Sequence, residues 1–439
     1  MVETPSGALL RFVVATRHED LPKPALEVAR LAVLDWWGVT VAGAAEPVAR
    51  LVRETLGGAP GPASVLGTAA TAPPADAAFL NGVAAHALDY DDVTLALPGH
   101  LTAPVLPGLL AVAEARGLGG RALLAAFVLG VEVASRAART LAPGHYRAGW
   151  HATATLGRLG GAAAIGRLLE LDAGRLDTAV GLAAAQGGGI QEAFGSMAKP
   201  FQVGRAAADG LVSAVAAAAG VTGPRGILDT PGWARRLSPD WSPGRLGEAL
   251  GQRYAVTELI FKRYPCCFAT HAAISALLAL QPGLAVPAIE AVELEVGPTT
   301  LQVADQRAPT TGLGGKFSMT YCAAAALVRG HIREDDFADA AVADPAVQGL
   351  AARVRLTPNP AFIETQARAV VRLAGGQTRE RVADLGADQD GSALRRDLAA
   401  KFRQLVAPRL GDGAADRLLE AIGSLDEVDD LRDLTRSRA

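Results

Sequence analysis

A histidine and three aspartates lie close together in the segment NGVAAHALDYDD, residues 81–92. On a helix, His86, Asp89 and Tyr90 would share one face, because residues three and four positions apart are neighbours there. Three chemical interpretations stay open: a metal site, a carboxylate that acts as acid or base, and a solvated helix end with a His–Asp contact.

Two further histidines lie at predicted helix starts. Thr102 is a suitable N-cap with Pro104 in the first turn, so His100 lies just before a helix. His151 directly precedes the helix predicted from Ala152. Because helix N-termini attract anions, both imidazoles are placed to meet a substrate carboxylate, although ordinary capped helix starts give the same pattern.

Lysine is rare in this chain. Of the 42 basic residues only five are lysines, and this bias toward arginine makes each lysine a candidate for a role that arginine cannot fill. Burial tunes the pKa of an ammonium group, whereas arginine stays charged. Lys199, Lys262 and Lys316 lie in short polar segments next to predicted helix starts, and we expect Lys23 and Lys401 at the surface.

The sequence carries none of the common motifs for acyl-serine, phosphoryl or hydride chemistry: no G-x-S-x-G elbow, no Walker loop and no dinucleotide fingerprint after a strand. What is left is a set of His, Lys, Tyr and Asp side chains that can hold a carboxylate and move a proton beside it. Abstraction of a carbon-bound proton next to a carboxylate needs a base of suitable pKa and cations that stabilise the enediolate. The resulting carbanion can lose water, lose CO2, or regain its proton on the opposite face.

Composition narrows the class of protein. The chain has 439 residues, a formal net charge of −3 and 50% hydrophobic residues, which predicts a large buried core and no basic surface for nucleic acid. Three cysteines without a C-x-x-C pair argue against a disulfide framework, structural zinc and an iron–sulfur cluster, and they favour a cytoplasmic location. The uncharged stretch 93–113 contains several prolines, so we expect no membrane span.

Hydrophobic spacing predicts helices almost throughout residues 24–220, with Gly or Pro between them. The predicted helices are Pro24–Ala42, Pro74–Asp92, Ala103–Arg116, Arg121–Leu141, Ala152–Leu169 and Gly204–Ala219. Many are rich in small residues, which is typical of closely packed helices. Residues 1–260 are therefore predicted to form a large all-helical domain, followed after a loop-rich connection by a region of different character.

The second part of the chain mixes strands and helices. Valine-rich alternation predicts strands at Ala288–Val296, Val354–Thr357 and Ala369–Leu373. Helices are predicted at His271–Leu280, Phe317–Arg329 and Arg395–Val406. We therefore expect a mainly α protein in which residues 261–399 form a smaller α+β lid domain and residues 400–439 pack back on the helical domain.

Six segments of the chain resemble the MmgE/PrpD family, which includes 2-methylcitrate dehydratase, cis-aconitate decarboxylase and iminodisuccinate epimerase. They occur in the family's order and cover most of the chain. The segments are LDWWGVTVAG (34–43), NGVAAHALDYDD (81–92), GWHATATLG (149–157), AKPFQVGRAA (198–207), FKRYPCCFATH (261–271) and KFSMTYCAAA (316–325).

The resemblance implies a helical domain with a smaller α+β lid, a homodimer, and catalysis at the domain interface without a metal or organic cofactor. It assigns catalytic roles to Asp89, His100, His151, Lys199, Lys262 and Tyr321. We add Cys267 as a catalytic candidate. The candidates for binding a small anionic substrate are His86, Thr102, Arg205 and Lys316.

Two positions depart from the pattern of the decarboxylase-like members. Those members have Thr where this chain has Val93 and His where it has Cys267, and here His100 is followed by Leu-Thr rather than Pro-Ser-Gly. We therefore expect a lyase that abstracts a proton next to a carboxylate of a di- or tricarboxylate, with dehydration favoured over decarboxylation. An epimerase or isomerase is the alternative within this chemistry, and a non-catalytic ligand-binding homologue is the alternative from another class. Cys267 is then either an acid/base thiol or inert.

Overall fold

The structure is a computed structural model that describes residues 4–386 and 391–436. It is mainly helical, with a small mixed sheet in the C-terminal part, which confirms the expected fold class. Two hydrophobic cores divide the chain: one joins residues 9–261 to residues 398–434, and the other lies almost entirely within residues 266–385.

The first core is built from helices that pack on all sides. These are α1 (Pro5–Ala15), α2 (Lys23–Gly43), α3 (Pro47–Leu56), α4 (Pro74–Ala87), α5 (Thr102–Arg116), α6 (Gly120–Leu141), α7 (Gly144–Arg147), α8 (Ala152–Leu168), α9 (Ala173–Ala185), α10 (Ala198–Ala218) and α11 (Pro231–Leu237), with a short hairpin of β1 (Ala63–Ser64) and β2 (Thr71–Ala72). Among the described residues no single helix is long and apolar enough to cross a membrane, although the bent pair α2–α3 passes by length and composition together.

Helices α4 and α10 approach each other unusually closely, because glycines face each other where they cross. A Cβ atom on Gly82 would lie 2.8 Å from the Cα of Gly204, and one on Gly204 would lie 2.6 Å from the carbonyl oxygen of Phe79. Only residues without a side chain allow this approach. The contact brings the C-terminal end of α4 near the N-terminal end of α10, which is where the site lies.

Both of these helices differ from prediction at the end nearest the site. Helix α4 ends at Ala87, five residues before the predicted end, and Asp89 adopts a left-handed conformation with φ of 52°. His86, Asp89 and Tyr90 therefore do not share a helix face. Helix α10 begins at Ala198 rather than Gly204, so Lys199 lies in its first turn and not in a loop.

The second core lies between a four-stranded sheet and short helices. The sheet contains β3 (Ile289–Val296), β4 (Val354–Pro358), β5 (Gln366–Leu373) and β6 (Thr378–Asp384) in the order β4-β3-β5-β6, with β3 and β4 parallel and the other pairs antiparallel. The helices are α12 (His271–Leu280), α13 (Pro298–Ala304), α14 (Gly312–Lys316), α15 (Met319–Arg329), α16 (Asp339–Val342) and α17 (Pro345–Ala351). Sequence alternation predicted the first three strands but missed β6, a polar edge strand.

The last helices return to the first core. They are α18 (Gly391–Leu410), α19 (Asp412–Gly423) and α20 (Arg432–Arg436). Helix α18 packs along α2, where Phe402 is 1% exposed, and it crosses the predicted domain boundary at residue 400. Residues 387–390 of the predicted lid and 437–439 of the predicted C-terminal segment lie outside the described residues.

Replacing Gly204 with alanine should destabilise the protein by about 1–3 kcal/mol, because the new methyl group would overlap the backbone of α4. Urea unfolding followed by circular dichroism measures this change. The matched control is Gly349→Ala in α17, where a Cβ would meet no atom within 4 Å and should leave stability unchanged or slightly higher. Equal stability of the two variants would contradict the packing argument.

Candidate active site

A cavity of about 90 Å³ lies where the two cores meet. Six of the seven predicted catalytic residues line it: Asp89, His100, His151, Lys199, Lys262 and Cys267. The remaining wall is formed by Glu364 and by hydroxyl-bearing and apolar side chains, among them Tyr146, Thr153, Phe194 and Phe317. Residues far apart in sequence thus form one pocket that is lined by both charged and apolar side chains.

Asp89 is the buried anion of the cavity, with 3% of its surface exposed. Its Oδ1 atom lies 2.6 Å from Nζ of Lys199 and 3.1 Å from Nζ of Lys262. Burial alone would raise the pKa of Asp89, but the two ammonium groups outweigh it and hold the pKa well below its ordinary value. Lys262 stays protonated, because Asp89 and Asp91 raise its pKa against the effect of burial.

The backbone around Asp89 accepts hydrogen bonds from three lysines, and we call residues Leu88–Tyr90 the clamped turn. Lys316 donates to the carbonyl oxygen of Leu88, and Lys262 donates to that of Asp89 at 2.7 Å. Lys401 donates to the carbonyl oxygen of Tyr90 at 2.7 Å. These bonds satisfy carbonyl groups that a continued helix would have used, and they explain how a left-handed aspartate is held in place.

The position of Lys401 corrects the expectation that it lies at the surface. Its ammonium group is 2.7 Å from Oδ1 of Asp35, 3.1 Å from the carbonyl oxygen of Lys262 and 3.7 Å from the centre of the Tyr90 ring. Lys401 is 8% exposed and Asp35 is 4% exposed. Lys23, in contrast, is exposed as predicted.

A second carboxylate, Asp91, lies between two imidazole rings. Nδ1 of His86 is 2.9 Å from Oδ2 of Asp91, and Nδ1 of His100 is 3.1 Å from the same oxygen. The backbone N–H of His100 donates to the hydroxyl of Thr153 at 3.0 Å. Burial lowers the pKa values of His86, to about 4, and of His100. Both rings are therefore neutral at pH 7, and Asp91 orients them.

His151 offers a free acceptor to the cavity. Its Nδ1 lies 2.8 Å from Oε1 of Gln202, and its buried Nε2 has no hydrogen-bond partner among the described residues. Because a carboxamide oxygen only accepts, Nδ1 carries the proton and Nε2 keeps its lone pair. Burial, and then the charge of Lys199, hold the pKa of His151 well below its usual range, so the ring is neutral.

Cys267 is a thiol rather than a thiolate. It is buried beside Phe317, and its backbone N–H donates to the carbonyl oxygen of Lys316 at 2.9 Å. Burial, and then the charge of Asp89, raise its pKa to about 11. A protonated group that faces the cavity can act as an acid at neutral pH, but it is a poor nucleophile.

The three sequence interpretations of residues 81–92 can now be compared. His86, Asp89, Asp91 and His100 are all buried, so the solvated helix end is wrong. One ligand atom from each of these four residues lies within 4.8 Å of the others, a spacing compatible with a metal ion. Two ammonium groups already contact the Asp89 carboxylate, however, and a divalent cation there would have to compete with them. The charge pattern favours the acid/base interpretation.

Five of the sequence candidates do not line the cavity. The hydroxyl of Tyr321 donates to the carbonyl oxygen of Asp336 inside the second core, so Tyr321 is buried away from the site. Thr102 begins α5 instead of capping it, and its hydroxyl donates to Asp92. Arg205 is half exposed and pairs with Asp209 at 2.7 Å. His86 and Lys316 lie one layer behind the cavity.

Several functional positions carried no recognisable signal. Gln202, which orients His151, lies three residues after Lys199 and on its own predicts nothing. Phe194 and Phe317 place their ring centres 5.0 and 4.7 Å from the Lys199 ammonium group. Such rings stabilise a buried cation but are indistinguishable from core residues in a sequence. The pairing of Asp35 with a lysine in the C-terminal helix is equally invisible without the fold.

A large helical part and a smaller α+β part that meet over a cavity lined by acid/base groups define a two-domain class of protein. The chain matches the MmgE/PrpD N-terminal domain over residues 7–245 and the MmgE/PrpD C-terminal domain over residues 264–427. It therefore belongs to the MmgE/PrpD family, as its motifs indicated, a family of lyases acting on small carboxylates.

Three curated relatives are named as cis-aconitate decarboxylases or as a protein like them. The cis-aconitate decarboxylase-like protein oryM of Aspergillus oryzae is 27% identical over 470 residues, covering 98% of this chain and 97% of oryM. The cis-aconitate decarboxylases of Homo sapiens and Mus musculus are each 28% identical and each cover 83% of this chain, with 79% and 78% of their own lengths matched.

Replacing Lys401 with methionine should lower the free energy of unfolding by about 3–5 kcal/mol, because it leaves the buried carboxylate of Asp35 unpaired. Urea denaturation measures the change. The double variant Asp35→Leu/Lys401→Met removes both charges and should recover much of the loss, and Lys23→Met is the surface control. A loss below about 1 kcal/mol for the single variant would rule out a structural ion pair.

Stability should fall as the pH drops from 6.5 toward 4. Folded His86 takes up its proton only near pH 4, whereas the unfolded chain takes it up near 6.5, so the unfolded state binds more protons in this window. His86 alone accounts for about 3 kcal/mol, from the separation of the two pKa values. Denaturant unfolding at several pH values measures this effect. The free energy of unfolding should depend less steeply on pH in His86→Asn than in the control His331→Asn, in which a half-exposed histidine is replaced.

Proposed function

We propose that the protein is a cofactor-independent lyase that removes a proton next to a carboxylate of a small substrate and then eliminates water. The observation that carries this proposal is the unpartnered Nε2 atom of His151, which faces the same cavity as the ammonium groups of Lys199 and Lys262. A base and two cations in one buried cavity are the groups that enediolate formation requires.

The substrate carboxylate is bound by Lys199, with Lys262 adding its charge. Among the described residues the ammonium group of Lys199 makes one hydrogen bond, to Asp89, and it has three N–H donors, so donors are left for a ligand. As the proton leaves carbon, negative charge grows on the carboxylate oxygens, and the two lysines stabilise it. Asp89 keeps both lysines in place before the substrate arrives, and it raises the pKa of Lys262.

His151 accepts the proton through Nε2. Its neutral state at pH 7 leaves the lone pair available, and Gln202 fixes the ring by accepting from Nδ1. The pKa of His151 is low in the protein alone. It rises when a substrate carboxylate binds nearby, because the negative charge favours the protonated ring. Binding of the substrate therefore makes His151 a stronger base.

Cys267 supplies the acid that elimination of water requires. The electron pair of the broken C–H bond becomes the new C=C bond, the C–O bond breaks, and the departing hydroxyl takes the thiol proton to leave as water. After the product leaves, His151 gives its proton to solvent, and the Cys267 thiolate takes up a proton from solvent. Tyr146 also lines the cavity as a neutral phenol, since burial raises its pKa, and it is a second possible donor to the substrate.

Two residues weigh against transferring the named activity of the relatives to this chain. Val93 and Cys267 both line the cavity, and they stand where decarboxylase-like members have a hydroxyl and an imidazole. The substitutions change the groups that contact the substrate and leave the Asp89–lysine arrangement intact. This supports dehydration as the reaction, with decarboxylation and epimerisation as the outcomes against which it is tested.

Incubation with candidate hydroxy acids in D2O, followed by NMR, tests the proposal. The native protein should exchange the hydrogen next to the carboxylate and form an alkene with loss of water. His151→Asn keeps a donor toward Gln202 but removes Nε2, and Lys199→Met removes a cation. Each should slow exchange at least about 100-fold, as removal of a catalytic base or charge-stabilising group does.

Further variants separate the steps. Cys267→Ala should keep exchange but slow water loss, whereas His331→Asn should change neither. Release of CO2 would identify a decarboxylase, inversion without net loss would identify an epimerase, and no exchange with any acid would favour a non-catalytic binding protein. Full turnover by folded His151→Asn would overturn the assignment of the base.

A further inference from the structure

Asp91 is a buried anion that the proposed mechanism does not use. It is 0% exposed, and its Oδ2 atom lies 2.9 Å from Nδ1 of His86 and 3.1 Å from Nδ1 of His100. Burial alone would raise the pKa of Asp91, but its contacts with the two histidines outweigh burial and hold the pKa well below its ordinary value. The carboxylate is therefore charged at pH 7 and can only accept hydrogen bonds.

This carboxylate decides where the protons of both rings lie. A lone pair on Nδ1 would point at a negatively charged oxygen, whereas a proton on Nδ1 meets an acceptor. Nδ1 of His100 is buried, and no other described residue forms a hydrogen bond with it. Because a neutral imidazole carries one proton, His86 and His100 both carry it at Nδ1, and both Nε2 atoms keep their lone pairs.

Nε2 of His100 is consequently a hydrogen-bond acceptor beside the cavity. His100 lines the cavity, and its Nε2 lies 3.8 Å from Oδ1 of Asp89, too far for a hydrogen bond. Neither atom has a proton to give, and Oδ1 already faces the ammonium groups of Lys199 and Lys262. A substrate group can therefore hydrogen-bond to His100 only through a hydrogen of its own.

We infer that His100 binds the hydroxyl group of the substrate by accepting its hydrogen at Nε2, and that Asp91 is a positioning residue that keeps His100 in this tautomer. The hydroxyl group comes from the proposed function, on which this part of the inference rests, whereas the tautomer can be measured without any substrate. His86 braces Asp91, because its Nδ1 lies 3.0 and 2.9 Å from the two carboxylate oxygens. The arrangement orients the C–O bond that the elimination breaks, while the carboxylate of the substrate contacts the lysines.

Long-range 1H–15N NMR on protein labelled in its seven histidines tests the tautomer. At pH 7, His86 and His100 should each show a protonated Nδ1 and an unprotonated Nε2. His271 is the internal reference for the opposite tautomer, since its Nε2 lies 3.3 Å from the carbonyl oxygen of Cys266, which can only accept. Single variants assign the signals. A proton on Nε2 of His100 in the native protein would overturn the inference.

Asp91→Asn separates positioning from a general loss of structure. An amide has one acceptor oxygen and cannot accept from both rings, so at least one of His86 and His100 should move its proton to Nε2. His86→Asn keeps an N–H group toward Asp91 and should leave the tautomer of His100 unchanged. Urea unfolding checks that both variants are folded. If folded Asp91→Asn keeps the proton of both rings on Nδ1, Asp91 does not position them.

Calorimetry tests the hydroxyl group with two pairs of acids that differ by one hydroxyl: malate against butanedioate, and citrate against propane-1,2,3-tricarboxylate. The background is His151→Asn, because this variant should not turn the acids over. In at least one pair the hydroxy acid should bind about three- to tenfold more tightly, which is the effect of one hydrogen bond.

A second substitution in the same background assigns that preference to a residue. His100→Phe keeps a ring but removes Nε2, so the ratio of affinities should fall to about one. The control His331→Asn replaces a half-exposed histidine and should preserve the ratio. Equal affinity or no binding in both pairs, or a ratio that survives His100→Phe, would overturn the role of His100. This measurement stands even if Asp91→Asn does not fold.

Hydrogen exchange in D2O keeps the two proposals apart. If the protein prefers a hydroxy acid through His100 but exchanges no hydrogen next to a carboxylate, the binding role stands and the proposed function fails. If it exchanges that hydrogen and releases water from an acid whose hydroxyl group adds nothing to binding, the proposed function stands and the inference about His100 fails.

Discussion

Four buried ammonium groups converge on one turn of the chain, and the rest of the site depends on this contact. Lys316, Lys262 and Lys401 hold the carbonyl oxygens of the clamped turn, and Lys199 holds the side chain of Asp89 within it. The turn follows the C-terminal end of α4, where the helix dipole favours positive charge. A compact ammonium fits among closely spaced carbonyls, whereas a planar guanidinium needs a wider cradle.

The lysine contacts at the clamped turn also connect the first core, the second core and helix α18. The first helical core contributes the turn and Lys199, and the segment before the second core contributes Lys262. Helix α14 of the second core contributes Lys316, and α18 contributes Lys401. Backbone bonds between Val93 and Ile260, both of 2.8 Å, tie the segment after the turn to the start of the lid. The cavity is thus assembled only when distant segments are docked, which buries its charged side chains where electrostatic interactions are stronger than in water.

The sequence predicted correctly those helices and site residues that a local hydrophobic pattern or a motif determines. Helical periodicity predicted most helices of the first core, and motif residues such as His151 and Lys262 do line one cavity. It failed where the partner is distant: Lys401 was predicted at the surface because Asp35 is 366 positions away. Tyr321 was assigned to the site by its motif, but its hydroxyl is used within the second core. Strand β6 is polar because it lies at a sheet edge, which hides it from hydrophobic alternation.

The scarcity of lysine distinguishes the clamped turn from the rest of the chain. Of the 42 basic residues 37 are arginines, yet all four cations that contact the clamped turn are lysines. At Lys199, Lys262, Lys316 and Lys401 an arginine would insert a larger cation into space filled by backbone and rings. Four of the five lysines are buried at this one turn, so the few lysines in the amino-acid count mark the position of the site.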